Sequence, residues 1–498
     1  MGGAILAGIA SVAAFAPFGV FWLLPVTLAV LFRLADHARV KRAALIGWAY
    51  GVGQFTAGTY WILIALSGVG GAPLPLAIAL LLGLIVLLAA FIGLVLALAA
   101  RLSPMPGAPR YLVWLPVIWA GVEWLRSWVF SGFPWLSIGY SQIDSPLVSI
   151  APILGVFGIG WALALTAGLL AWLSATPRYA PIAIGGLVVV WAGALGLGRI
   201  DWTRPSGPSL SVVLAQGDVP QQAKWSPEAV QQAIDRYAGL TAGHWEADLI
   251  VWPETAIPNY YRAVKPALDR LGDRLSAHNT TLVTGLLRAD DSGRHVYNSV
   301  VAVGAGNGLY AKRHLVPFGE YFPVPETIRR WMAQSGMPYS DFTPGALDQP
   351  PIDANGVQLA ISICYEDVFG GLIARDVPPA NVLINVSDDA WFGRSIGPDQ
   401  HFEMARMRAA ETGRYLLRSD NSAVTGIVGP KGQITARAPD FAQTVVTGDI
   451  RPYTGTTPFA RFGDQLVAAL LAIVAIGAGG LEWAMRRRRA PRAKPTSH

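Results

Sequence analysis

Eight apolar stretches, at about 4–17, 19–35, 43–66, 74–100, 111–130, 147–173, 180–198 and 465–484, constrain this chain more than anything else in it. A lipid hydrocarbon core is crossed by a helix of about 20 apolar residues, because no water is present there to satisfy free backbone N–H and C=O groups. The stretches predict a polytopic α-helical membrane domain with about eight transmembrane helices. The first two are short and joined through Pro17 and Gly19, so one broken helix and a total of seven is the alternative. Ile5 to Phe18 also has the look of a secretory leader, with Ala14-Phe15-Ala16 mimicking a cleavage site. No Lys or Arg precedes it and another apolar stretch follows at once, which favours an uncleaved first helix.

Hydrophobic residues make up 53% of the chain and charged ones 14%, with a mean hydropathy of +0.41, which excludes an ordinary soluble protein and leaves a membrane enzyme, channel or transporter. The net charge of +6 would suit nucleic acid if the basic residues formed a face. They lie instead between apolar stretches: Arg33, Arg39, Lys41 and Arg42 in one loop, Arg101 and Arg110 in another, Arg178 in a third, and Arg486 to Arg489, Arg492 and Lys494 in the tail. That is a positive-inside pattern, so no nucleic-acid partner is expected. The predicted organisation is a membrane domain over 1–199 with about seven helices, an extracytoplasmic domain over 200–460, a last transmembrane helix over 461–485 and a basic cytoplasmic tail over 486–498. For a bacterial inner membrane, the extracytoplasmic side is the periplasm.

Within 200–460 charged residues return and short β-branched runs alternate with helical patterns, which predicts an α/β domain. Strands are expected at Leu210–Gln216, Asp248–Trp252, Thr281–Leu286, Asn298–Val303, Leu309–Lys312, Val357–Cys364 and Asn381–Val386, and helices at Pro227–Ala242, Ala263–His278 and His401–Thr412. Gly304 to Gly308 lies between two strand candidates and reads as a hairpin turn, not a nucleotide loop.

Three of these strands end on chemistry. Val357–Cys364 stops at the only cysteine of the chain, which can form no intramolecular disulfide. Asp248–Trp252 leads through Pro253 to Glu254, and Leu309–Lys312 delivers a lysine. Singly, Cys364 reads as packing, Glu254 as a cap and Lys312 as a solvated residue. Together they supply what a nucleophilic thiol needs: a carboxylate to take its proton, and a cation to favour the thiolate and the oxyanion formed at an attacked carbonyl.

Trp252-Pro-Glu254, the segment Lys312-Arg-His-Leu-Val-Pro-Phe-Gly-Glu-Tyr-Phe-Pro323 and Ile363-Cys-Tyr-Glu-Asp367 resemble the three catalytic motifs of the nitrilase superfamily, and more narrowly those of the bacterial apolipoprotein N-acyltransferase family. Gln216-Gly-Asp-Val-Pro-Gln221, Phe130-Ser-Gly-Phe-Pro-Trp135, Asp389-Ala-Trp-Phe-Gly393 and Ser395-Ile-Gly-Pro398 extend the likeness over nearly the whole chain. The resemblance implies eight membrane helices with an αββα nitrilase-like sandwich inserted before the last. It further implies Glu254 as general base, Lys312 as transition-state stabiliser and Cys364 as nucleophile. Glu320 would support the lysine, Tyr365 and Glu366 would line or brace the site, and Trp225 would sit on an arm near the lipid entrance. One departure is Asp388, where the family more often has Asn; a second negative charge near a thiolate would raise its pKa unless something compensates.

The implied reaction takes an acyl chain from a phospholipid onto Cys364 and then onto the α-amino group of a diacylglyceryl-modified apolipoprotein. A monomer is expected, with no cofactor and, because the seven His are scattered, no metal. The aromatic, proline-rich stretch from Phe318 to Tyr339, with Tyr321, Phe322, Trp331 and Met332, would form a lipid-facing flap. Two alternatives stand beside this reading: a membrane-tethered amidase or nitrile hydrolase using the same triad, and a transporter with an extracytoplasmic binding domain. Glu123 and Arg126, three apart in an apolar helix, read equally as a functional membrane charge and as an intrahelical pair.

Overall fold

The computed structural model of the chain describes residues 1–224, 229–322, 327 and 341–489. Its first two hundred residues are helical. Among the described residues, Leu74–Leu102, Pro146–Ala175 and Pro177–Leu197 are long and apolar enough to cross a membrane, and Val40–Gly58 with Trp61–Val69 qualify as a pair bent by 51°. Large side chains face outward on them, with Ile182 61% and Val189 72% exposed, far beyond what a water-facing surface gathers in one band.

Of the remaining predicted stretches, the first, second and fifth form shorter helices, and the last forms a single one. Gly2–Ser11 and Leu23–Leu34 are separate helices, the segment at 111–130 yields Leu115–Arg126, and the last is Gln465–Arg489. The breaks have local causes. The chain turns into left-handed conformations at Phe130 and Ser131, ending the helical path there, and the C-terminal helix continues four residues past the expected boundary at 485. Small residues bring the short helices close: a Cβ on Gly53 would lie 2.2 Å from the Ile5 carbonyl oxygen.

The intervening region is a four-layer αββα sandwich. One sheet runs in the order Thr444–Ile450, Leu210–Gln216, Leu249–Val251, Thr281–Ala289, Val296–Gly304, Gly308–Ala311, with Ile257–Tyr260 pairing beside Thr281–Ala289. The other runs Ile434–Arg437, Gly426–Val428, Leu416–Asp420, Val382–Ser387, Val357–Ile363, Ile352–Ala354. Side chains alternate along a strand, so one set fills the space between the sheets and the other meets helices. Leu359, Ile361 and Ile363 join Val212, Leu214 and Val283 in the inner core, while Ala360 points to an outer core with Phe402, Ala405 and Ala409 of the helix Gly397–Thr412. Ala229–Thr241 and Tyr261–Ser276 cover the first sheet. The antiparallel hairpin at Gly304 to Gly308 is present as expected.

In the second sheet Val357–Ile363, Val382–Ser387 and Leu416–Asp420 are mutually parallel. Ligand and catalytic groups gather at the carboxyl ends of such strands, and Cys364, Asp388 and Asp420 all stand there.

Candidate active site

Glu254 sits in the turn after Leu249–Val251, 8% exposed. The turn lies directly on the neighbouring strand, with the Gly285 N–H bonded to the Pro253 carbonyl at 3.2 Å. Only glycine permits this: a Cβ at 285 would stand 2.5 Å from the Thr255 nitrogen and 2.8 Å from the Glu254 Cα. Lys312 follows Gly308–Ala311 and is 1% exposed. Its Nζ lies 3.6 Å from Glu254 Oε1 and 2.9 Å from Glu320 Oε1. Asn298, whose sequence position marks only the start of a strand, completes the group: its Nδ2 donates to Glu254 Oε1 at 2.7 Å and to Glu320 Oε1 at 3.1 Å. Glu320 Oε2 accepts from the Val316 N–H at 2.8 Å, which folds the Pro-Phe-Gly-Glu turn onto the lysine.

Cys364 stands at the end of Val357–Ile363 with φ +50, a left-handed conformation that few non-glycine residues adopt and that accumulates at functional sites. Its sulfur is within electrostatic reach of both Glu254 and Lys312. Burial pushes the thiol well above its ordinary pKa; Glu254 and Asp389 push the same way, and Lys312 and a hydrogen bond from Ser387 oppose them. The ammonium is already shared with Glu254 and Glu320, which hold Lys312 in its charged form against desolvation. The balance favours the protonated sulfur. Burial, and next the negative Glu320, raise the Glu254 pKa against the pull of Lys312, so this carboxylate is a stronger base than a solvated one.

Glu366 is fully buried and braces the site. Its Oε1 accepts from the backbone N–H groups of Arg313 at 2.7 Å and His314 at 3.1 Å, its Oε2 from that of Ile363 at 2.8 Å, and Tyr310 OH donates to both oxygens. One carboxylate thus ties the end of the cysteine strand to the turn after Lys312. Tyr365 reaches the other way, its OH donating to the Gly132 carbonyl at 3.0 Å, while Ser131 Oγ meets Tyr321 OH at 2.7 Å. Both contacts fall in the Phe130 to Trp135 loop of the helical region. Glu123 and Arg126 hold that loop: Arg126 donates to the Trp135 carbonyl at 2.8 Å and to Ser137 Oγ at 3.0 Å, and Glu123 Oε1 accepts from the Ile138 N–H at 2.9 Å. Both side chains thus fix this loop. Trp225, and Trp331, Met332 and Tyr339 of the expected flap, lie outside the described residues.

The compensation that Asp388 requires is Lys224. Its Nζ lies 2.5 Å from Asp388 Oδ2, both side chains are almost wholly buried, and Asn421 Nδ2 donates to Asp388 Oδ1 at 3.0 Å. Asp388→Asn is expected to lower stability by about 2 kcal/mol, because the ammonium keeps an acceptor but loses its counter-charge. Lys224→Met in that background should recover most of the loss, and thermal unfolding of the four proteins of this cycle measures it.

Below the sulfur lies a cluster the sequence reading did not assemble. His401 Nε2 is 2.9 Å from Asp367 Oδ1 and Nδ1 is 2.8 Å from Asp389 Oδ1. Arg418 reaches Asp367 at 2.6 Å and Asp389 at 2.7 Å. A sulfur, an Asp389 oxygen and a His401 nitrogen all fall within 4.8 Å of one another.

Comparison with known proteins places the chain in a family. Residues 7–169 match the family model described as the apolipoprotein N-acyltransferase N-terminal domain, and residues 212–459 match the carbon-nitrogen hydrolase model. The chain is 42% identical over 494 residues to apolipoprotein N-acyltransferase of Methylococcus capsulatus, covering 98% of this chain and 96% of the relative. It is 39% identical to that of Azotobacter vinelandii, covering 99% and 96%. Among solved structures, a carbon-nitrogen hydrolase from Helicobacter pylori is similar at a TM-score of 0.38 and 16% identity, over 49% of this chain and 89% of that one.

Proposed function

The chain belongs to the apolipoprotein N-acyltransferase family, and we propose that it transfers its acyl group in two steps through a thioester on Cys364. In the first step Glu254 takes the thiol proton as the sulfur attacks an ester carbonyl of a phospholipid. The ester C–O bond breaks, the proton passes to the departing lysophospholipid oxygen, and the acyl chain stays on sulfur. In the second, the α-amino group of a lipoprotein's N-terminal diacylglyceryl cysteine attacks the thioester. The C–S bond breaks, the amide forms, and Glu254 relays the amine proton to the sulfur. Lys312 stabilises the oxyanion of both tetrahedral intermediates, with Glu320 orienting it.

The observation that carries this reading is the placement of Cys364, in a left-handed turn between the charge pair Glu254–Lys312 and a helical region whose outer face is apolar. Both substrates of the reaction are lipids, and excluding water protects a thioester from the competing hydrolysis. Tyr365 and Glu366 brace the turn, and Trp225 would act at the lipid entrance. We further propose that eight helices span the bacterial inner membrane, the shorter ones among them, with residues 200–460 on the periplasmic side, the segment after 485 in the cytoplasm, and the protein working as a monomer. Residues 1–199 and 461–485 form the membrane part in this reading.

The test uses the sole thiol of the chain. Incubation with a labelled phospholipid is expected to raise the intact mass by one acyl chain, and that chain should leave faster to an amine acceptor than to water. Release mainly as free fatty acid would point to a hydrolase and against this mechanism.

A further inference from the structure

We propose that His401 is a positioning residue for the transfer: an imidazolium held between Asp367 and Asp389 that locks the turns on either side of Cys364 and cancels carboxylate charge beneath its sulfur. The proposal rests on Cys364 being the acyl carrier. Asp367 lies three residues beyond the cysteine, and Asp389 lies two beyond the adjacent parallel strand Val382–Ser387. His401 comes from a different element, the helix Gly397–Thr412, which is buried along its length except at Asp399. It therefore adds a link from the covering helix to two turns whose strands pair as far as Ile363 and Val386 and which Arg418 also bridges.

Every charged group facing His401 enters the balance. Asp367 and Asp389 favour its charged form, Arg418, 2.9 Å from Nδ1, opposes it, and burial opposes it too; the carboxylates win, and the imidazole is raised to about 9. Asp420, whose Oδ2 accepts from the Asp389 N–H at 3.0 Å, is itself raised to about 7 by burial and by Asp389. Asp367, Asp389 and Asp420 gather around one Arg418 guanidinium, and the proton on His401 adds a second positive charge to this acidic cluster within reach of the sulfur.

His401→Gln keeps a polar group of similar reach and removes the charge. In the full-length variant, iodoacetamide labelling of Cys364, read by intact mass, is expected to shift to higher pH. Labelling at about pH 8 should slow on the order of tenfold, the thiolate fraction lost to a one-unit rise in thiol pKa. The kcat for transfer should fall with the KM for phospholipid unchanged. A labelling profile that superimposes on that of the parent protein would overturn the proposal. Should the variant not fold, the parent protein decides. Nitrogen-15 histidine spectra at pH 8 are expected to show one imidazolium among the seven histidines, and seven neutral rings would overturn it. Labelling reads the sulfur whatever its role, so if Cys364→Ser retained transfer, the thioester reading would fall while a shifted labelling profile still stood.

Discussion

Replacing Cys364 with alanine is expected to abolish acyl transfer, by on the order of 10⁴-fold or more, and to erase the acyl mass gain. The reason is chemical before it is structural. Alanine keeps the Cβ and leaves the backbone of Val357–Ile363 and the Glu366 hydrogen bonds to Ile363, Arg313 and His314 in place, so the fold has no cause to change. What disappears is the only thiol in the chain, and with it the only cysteine able to hold an acyl group as a thioester. Serine in its place would retain a hydroxyl, but one far harder to ionise than a thiol whose own pKa burial already raises. Two measurements check the expectation: transfer from labelled phospholipid to a diacylglyceryl peptide, and the unfolding temperature, which should stay near that of the parent protein. Substantial turnover by a well-folded alanine variant would sink the thioester mechanism.

The parts of this site that could be read from sequence are those where a β-branched run stops at a polar word. Val357–Ile363 ending at Cys364 and Gly308–Ala311 ending at Lys312 are such places, because alternation marks the strand and the first charged or reactive residue marks its end. Leu416–Asp420 escaped for the opposite reason. Its Arg418, Ser419 and Asp420 are fully buried, with Arg418 and Asp420 answering each other's charge, so a strand inside the protein reads like a loop outside it. Asn298 escaped because an amide at the start of a strand carries no signal until Glu254 and Glu320 are seen to converge on it. The Asp388 problem was legible, but its solution was not: Lys224 lies 164 residues away in the chain. In the membrane part, hydropathy located the apolar stretches, while the break between Val40–Gly58 and Trp61–Val69 depends on packing that composition does not encode.

Glu254→Gln should separate two quantities that usually move together. The glutamine retains an oxygen for the Asn298 Nδ2 bond, so the turn over Gly285 is preserved, but it can accept no proton. General-base catalysis contributes about 10²- to 10⁴-fold, and transfer should fall by that order. The thiol responds in the other direction. The Glu254 charge is among the causes that raise the Cys364 pKa, and without it Lys312 acts on the sulfur less opposed, so iodoacetamide labelling should move to lower pH even as transfer collapses. The parent protein carries the matching signature in its pH dependence. Because burial and Glu320 raise the Glu254 pKa, the base is lost by protonation as pH falls through a value above the ordinary glutamate range, and transfer should decline there rather than near pH 4. In the glutamine variant this acid limb should vanish from the residual rate. A variant that lost transfer and labelling in parallel would mean that the carboxylate holds the sulfur in place instead of receiving its proton.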